Sequence, residues 1–301
     1  MPGGARIRAP GMTVLRTLCC AAALALTATG APSPVQTSDL PIVVVSIPPQ
    51  KFIVEELAGD RVEVEVMLPP GASPATYEPT PRQLASLNVA ALYFQIGAPF
   101  EQAVLSRIST LMPDLAVVDC RSGITLEPME SHGDGHGHGP LDPHIWLDPI
   151  RMKTVAVTTA ASLRERLPAA AGAIDSSLQR LLENIDATDR RIEAKLKPFA
   201  GRDLVVFHPA YGYFARRYGL VQVPVEAEGK APTARRLAEI VDSLRGRKTA
   251  AIFVQPQFSR TAAQRVADAL ACDLVELDPL AERYLSNLET MASRIASVMV
   301  K

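Results

Sequence analysis

The sequence predicts an α/β fold with two lobes that contain parallel sheets and are joined by a long rigid helix. Short apolar runs alternate with helical patterns along most of the chain, which is typical of βα units. One long amphipathic helix is predicted over residues 171–197, between two such series. With 301 residues, 48% of them hydrophobic, the chain is large enough for two well-filled lobes.

The N-terminal lobe begins with a β-branched run and continues with three further apolar runs. Its strands are predicted at residues 42–46, 62–68, 92–96 and 115–120. Helices are predicted near residues 81–90 and 100–112, and another over 150–166. Residues 121–143 interrupt this pattern, because they combine Gly, Pro and acidic residues without periodicity. We expect a mobile loop there.

The long helix carries an apolar stripe that includes Ile174, Leu181 and Ile185. At 1.5 Å per residue it would be about 40 Å long, enough to lie along both lobes. The C-terminal lobe then repeats the rhythm. Its strands are predicted at residues 204–207, 220–225, 250–254 and 274–277, and its helices near 211–217, 233–245, 261–271 and 284–299. No close sequence repeat relates the two lobes.

These patterns divide the chain into four segments. They are a signal peptide over residues 1–31, the N-terminal lobe over 32–165, the connecting helix over 166–198 and the C-terminal lobe over 199–301. The signal peptide is predicted because Arg6, Arg8 and Arg16 precede a short apolar run and small residues near Ala31. We therefore expect a periplasmic or otherwise extracytoplasmic protein. Whether it carries a lipid anchor is left open.

Composition excludes some classes of partner. The formal net charge is −1, which argues against nucleic acid, because binding phosphates requires clustered Lys and Arg. After removal of the signal peptide, Cys120 and Cys272 remain, far apart in sequence. A disulfide between them is possible in an exported protein, but unpaired thiols beside strands are the favoured interpretation. We expect a monomer.

Three polar residues follow apolar runs at positions where α/β proteins bind ligands. His208 directly follows the strand at 204–207, Asp278 follows the strand at 274–277, and His144 lies between the loop and a helix. Imidazole and carboxylate groups are common ligands of zinc and other divalent transition metals. The alternative is that each is an ordinary cap or turn residue, since no short motif links them.

The loop adds a compositional signal for metal. His132, His136 and His138 are separated by Gly and Asp, and such tracts bind divalent metals weakly. They are possible auxiliary ligands. With His144 and His208 they account for all five histidines of the chain. The alternative is a solvated loop in which the histidines are incidental.

Several motifs together resemble a known family over nearly the whole mature chain. They are PGASP at 70–74 with TYEPTP at 76–81, DPHIWLDP at 142–149, FHPAYGYF at 207–214, PQFS at 256–259 and LDPL at 277–280. In this order they are similar to the solute-binding proteins of zinc and manganese ABC importers, the ZnuA-like group. The resemblance implies that His144, His208 and Asp278 hold the metal in the cleft between the lobes. It also implies a membrane permease as partner, and the second imidazole favours zinc over manganese.

One residue departs from the family pattern. The family's first ligand is a His where this chain has Ala75, and a methyl group cannot bind a metal. Three explanations compete: a water fills the position, a loop histidine closes over the metal, or tight binding is lost. In addition, Pro209 and Gln255 occupy positions where the family often has acidic residues.

Other functions are weaker matches to the residues. An exported zinc chaperone or buffer would use the same ligands without a permease. A zinc-dependent hydrolase would need a general base, and Glu78, Glu226 and Glu228 lie in no catalytic motif. The sequence therefore predicts a metal-binding protein, not an enzyme. The divalent metal that it captures is expected to be zinc.

Overall fold

Two parallel four-stranded sheets form the framework of the protein. The computed structural model describes residues 40–129, 141–225, 233–244 and 249–300. The predicted signal peptide and the three loop histidines lie outside the described residues. In the described part of the chain, no helix is both long and apolar enough to cross a membrane.

The N-terminal lobe consists of the first sheet and its helices. Its strands, with the order β2-β1-β3-β4, are β1 (Ile42–Val45), β2 (Glu63–Val66), β3 (Ala90–Gln95) and β4 (Ala116–Asp119). Its helices are α1 (Pro48–Ala58), α2 (Pro81–Ser86) and α3 (Glu101–Leu111). All strand pairs are parallel, as the alternation of strands and helices predicts.

The C-terminal lobe repeats this topology. Its strands, with the order β6-β5-β7-β8, are β5 (Asp203–Val206), β6 (Val221–Pro224), β7 (Ala251–Val254) and β8 (Asp273–Glu276). The remaining helices are α4 (Pro149–Arg166), α5 (Ala171–Leu196), α6 (Gly212–Arg217), α7 (Ala234–Leu244), α8 (Arg260–Leu270) and α9 (Tyr284–Met299). The two sheets thus share one strand order without a close sequence repeat.

The predicted long connecting helix is present as α5. It has 26 residues and packs against α1 and α4 on one side and α9 on the other. Four residues of its apolar stripe, Ile174, Leu181, Ile185 and Ile192, are fully buried, and Leu178 and Leu182 are partly buried. At 1.5 Å per residue the helix is about 39 Å long. The predicted fold class is therefore confirmed.

Two apolar clusters lie on opposite faces of the second sheet. Leu204 and Val206 of β5 belong to a large cluster that also contains the first sheet, α5 and α9. Val205 and Phe207 point the other way, into a smaller cluster formed with α7 and α8. This alternation follows from the two-residue period of a strand. One continuous core therefore connects the two lobes.

All eight predicted strands are present, with ends within two residues of the predicted ones. One helix, α1, was not predicted. It begins with Pro48 and Pro49. Proline, which lacks an amide hydrogen, fits the first helical turn because amides there make no helical hydrogen bond. The side-chain oxygen of Gln50 accepts hydrogen bonds from the backbone nitrogens of Ser46 and Ile47, which closes the start of the helix.

Cys120 and Cys272, the two cysteines among the described residues, are unpaired, as predicted. Cys120 directly follows β4 and is fully buried, and burial raises the pKa of its thiol to about 12. Cys272 directly precedes β8 and is only half-buried. The two thiols belong to different lobes and different apolar clusters.

Candidate metal centre

His144 lies in the short segment between the predicted loop and α4. One short helical turn, Ile145–Leu147, follows it, and the Asp148 side chain then caps α4 by accepting a hydrogen bond from the nitrogen of Ile150. The indole nitrogen of Trp146 donates to the carbonyl oxygen of Pro279 at 2.9 Å. The segment is thereby attached to the chain that follows β8 in the other lobe.

A buried carboxylate orients the His144 ring. Asp142 Oδ1 lies 2.7 Å from His144 Nδ1 and also accepts a hydrogen bond from the His144 backbone nitrogen at 2.9 Å. Asp142 is 1% exposed and His144 is 7% exposed. A carboxylate at Nδ1 favours the tautomer that carries the proton there and leaves Nε2 as the nitrogen for a metal.

His208 approaches His144 from the C-terminal lobe. It comes two residues after the end of β5, and its ring stacks on Phe258 with centroids 4.8 Å apart. The ring centroids of His144 and His208 are 5.4 Å apart. The fold therefore brings together two of the three predicted cleft ligands, one from each side.

A cavity of about 60 Å³ opens beside the two imidazoles. Besides His144 and His208, its lining includes Ala75, Met129, Trp146, Gln255, Gln257 and Phe258. We call this space the histidine cavity. Ala75, where the resemblance predicts a His, lines the same cavity as His144 and His208, although it is otherwise exposed.

Asp278 lies next to the histidine cavity without lining it. It lines a neighbouring cavity together with Leu68 and Pro70. Its Oδ1 accepts hydrogen bonds from Gln257 Nε2 at 3.2 Å and from the Leu280 nitrogen at 2.9 Å. Gln257 and Leu280 line both cavities. Among the described residues, no three His, Cys, Asp or Glu side chains are placed to hold one ion.

The base of the predicted loop is attached to both lobes. The Asp142 nitrogen donates to the Glu127 carbonyl at 2.8 Å, and Pro128 pairs with Leu141 in an antiparallel bridge. The Tyr213 hydroxyl, on α6, donates to the Asp142 carbonyl and accepts from the Glu127 nitrogen, each at 3.0 Å. The two ends of the loop therefore meet at one point, against the helix that follows His208.

Charged side chains reinforce this attachment. The Glu127 carboxylate forms ion pairs with Arg151 of α4 and with Arg216 of α6. Both guanidinium groups also lie over the Tyr213 ring, at 4.5 and 5.1 Å from its centroid. Arg217 makes a second link, because it pairs with Asp189 of α5 and lies 3.7 Å from Asp148. These contacts limit the relative movement of the lobes near His144.

Burial also affects groups behind the cavity. Tyr211 is fully buried, and its hydroxyl donates to the Leu277 carbonyl at 2.8 Å. Burial, with a smaller effect of Asp278, raises the pKa of the Tyr211 hydroxyl, so it remains protonated. The pKa of Asp148 is also raised by burial, although nearby Arg217 and Arg151 oppose the shift.

Two imidazoles that meet between α/β lobes, with a continuous core behind them, form the candidate ligand site of a binding protein. The chain matches the family described as zinc-uptake complex component A, periplasmic, over residues 43–298, and it belongs to that family.

Known relatives agree with this assignment. The high-affinity zinc uptake system protein ZnuA of Yersinia pestis is 29% identical over 289 residues, which cover 85% of this chain and 91% of that protein. A crystal structure of ZnuA is 36% identical, with a TM-score of 0.80, and the match covers 86% of this chain and 99% of that one. A zinc-bound deletion variant of ZnuA is 35% identical, also with a TM-score of 0.80.

Sequence reasoning identified the two histidines but not the residues that hold them. Asp142 and Tyr213 lie inside motifs that the resemblance uses, yet nothing in their spacing indicates that they contact each other. Gln257 was noted only as part of the PQFS motif, and its hydrogen bond to Asp278 depends on the packing of β7 beside β8. These contacts follow from tertiary structure.

Proposed function

We propose that this protein captures zinc outside the cytoplasm and delivers it to the permease of an ABC importer. The proposal rests on membership in the zinc-uptake family and on the two imidazoles of the histidine cavity. Family membership also argues against an enzyme, because the named relatives are zinc-uptake and metal-binding proteins. Their extracytoplasmic location agrees with the predicted signal peptide.

The spacing of the imidazoles is the observation that carries the proposal. A tetrahedral zinc ion binds imidazole nitrogen at about 2.1 Å, which puts the centroids of two ligating rings roughly 5 Å apart. The centroids of His144 and His208 are 5.4 Å apart. The separation of the two rings is therefore compatible with their binding one ion. Asp142 supports this role because it holds one ring in a fixed orientation.

Asp278 is proposed as the third ligand. Both described hydrogen bonds of its carboxylate use Oδ1, so Oδ2 is the oxygen that would turn towards the metal. Gln257 holds the carboxylate at the border of the two cavities. Rotation of the carboxylate towards zinc would weaken the hydrogen bond from Gln257, and a hydrogen bond to a carboxylate contributes about 1.5–3 kcal/mol. His132, His136 and His138 are proposed to provide weak auxiliary sites in the loop.

Zinc affinity of cleft and loop variants tests the proposal. Competition with a chromogenic chelator gives the dissociation constant, and titration calorimetry gives the number of sites. We expect His208→Ala to abolish tight binding, because the ion would lose one of two imidazoles. The matched control replaces the three loop histidines by Ala. It should lose only weak binding. Unchanged affinity of His208→Ala would overturn the proposed site.

Uptake of radioactive zinc tests delivery. Cells that lack this protein should take up little zinc when a chelator limits supply. The wild-type chain should restore uptake, and His208→Ala should not. If uptake is unaffected but an exported zinc protein loses its metal, the protein acts as a zinc chaperone or buffer and the permease is not its partner.

A further inference from the structure

The histidine cavity contains a buried hydrogen-bond acceptor, the side-chain oxygen of Gln255. Its position indicates which group completes the metal site in place of a side chain at Ala75. Gln255 directly follows β7 and is 2% exposed. It lines the histidine cavity together with Ala75, His144 and His208. Among the described residues, its side-chain oxygen Oε1 has no hydrogen-bond partner. A buried amide oxygen without a partner is costly, so such a group in a cavity wall usually has a ligand-related role.

The orientation of Gln255 follows from its neighbour Tyr211. The Gln255 side chain interacts with the Tyr211 hydroxyl, whose own hydrogen is donated to the Leu277 carbonyl. The Tyr211 oxygen can therefore only accept, so the amide nitrogen Nε2 is the end of Gln255 that faces it. The backbone nitrogen of Tyr211 is fixed as well, because it donates to Gln222 Oε1 at 2.7 Å. This leaves Oε1 directed away from Tyr211.

We propose that Gln255 Oε1 accepts a hydrogen bond from a water bound to zinc, and that this water occupies the coordination position that Ala75 leaves open. The inference rests on the proposed function, and it names the residue that stabilises the fourth zinc ligand. A neutral amide fits this role because it accepts a hydrogen bond from water and adds no charge to the site. The metal then keeps one exchangeable ligand, which is the position from which a partner can begin to remove it.

A double-mutant cycle tests the role of Gln255. Gln255→Leu keeps the approximate volume and removes the acceptor, and we expect it to weaken zinc binding by about 10-fold, as for other groups that support a metal ligand. In the Ala75→His background an imidazole replaces the water, so the same change should cost less than about 2-fold. An equal loss in both backgrounds would overturn the proposal.

The water itself can be observed in the cobalt-loaded protein. Electron–nuclear double resonance in water enriched with oxygen-17 should detect a bound water oxygen in the wild type and none in Ala75→His. No water signal in the wild type would overturn the inference. If His208→Ala binds zinc normally, the proposed function itself fails. If His208→Ala loses binding but Gln255→Leu does not, only the role of Gln255 is wrong.

Discussion

Replacing Ala75 by His should convert the cleft into a tighter zinc site. Ala75 lines the same cavity as His144 and His208, and its exposure leaves room for a larger side chain to enter. A complete four-ligand zinc site is worth about 10–16 kcal/mol, or about 3 kcal/mol for each ligand. Ordering one imidazole costs about 1 kcal/mol. The net gain of about 2 kcal/mol corresponds to roughly 30-fold tighter binding, of which about 10-fold is offset when the imidazole displaces a water held by Gln255.

The assay is competition with a chelator of known affinity at fixed pH, because protons compete with zinc for imidazole. Thr76→His is the matched control, since it adds the same side chain one residue away, at an exposed position that does not line the cavity. It should change affinity by less than about 3-fold. If Ala75→His gives no gain, a protein group already fills the fourth position, and the reasoning about Ala75 is refuted.

Three further predictions concern stability and reactivity. Burial raises the pKa of Glu101, so the folded state holds the carboxyl proton more tightly than the unfolded state does. The free energy of unfolding should therefore fall as the pH rises above about 4.5. Glu101→Gln should lose this component in urea titrations between pH 4 and 7; a pH-independent difference from the wild type would contradict it. Native protein should react with a thiol reagent at the half-buried Cys272. It should react much more slowly at the buried Cys120, because burial raises the pKa of that thiol to about 12. Equal rates in mass-spectrometric mapping would refute this. Tyr213→Phe removes the two hydrogen bonds to Glu127 and Asp142 and should lower the free energy of unfolding by about 1–2 kcal/mol; an unchanged urea midpoint would show that solvent replaces them.

Most of the fold could be predicted because its strands are short, apolar and separated by clear helical patterns. The missed helix α1 shows the limit of this reasoning. Its two leading prolines are compatible both with a turn after β1 and with the first turn of a helix, and local sequence does not distinguish these outcomes. Helix formation is settled by burial of Ile53, Val54 and Leu57 against the core, which depends on distant residues.

The candidate site was predictable to the extent that its residues follow strands or lie in recognisable motifs. His144 and His208 meet these criteria, and the structure brings their rings together. Asp278 meets them too, but its side chain is held by Gln257, a neighbour in space that spacing cannot reveal. The supporting roles of Asp142 and Gln255 depend on single hydrogen-bond orientations. Such details become visible only when the chain has folded.

The closed base of the histidine-containing segment has a consequence for how this family can diversify. Because Glu127 and Asp142 are joined to each other and to α6, the backbone departs and returns at one fixed place. Insertions or deletions between them change the chain entropy of closure only slowly, by about 0.6 kcal/mol for each doubling in length. Natural selection can therefore alter the number of histidines between Glu127 and Asp142 without altering the contacts that hold these two residues against α6.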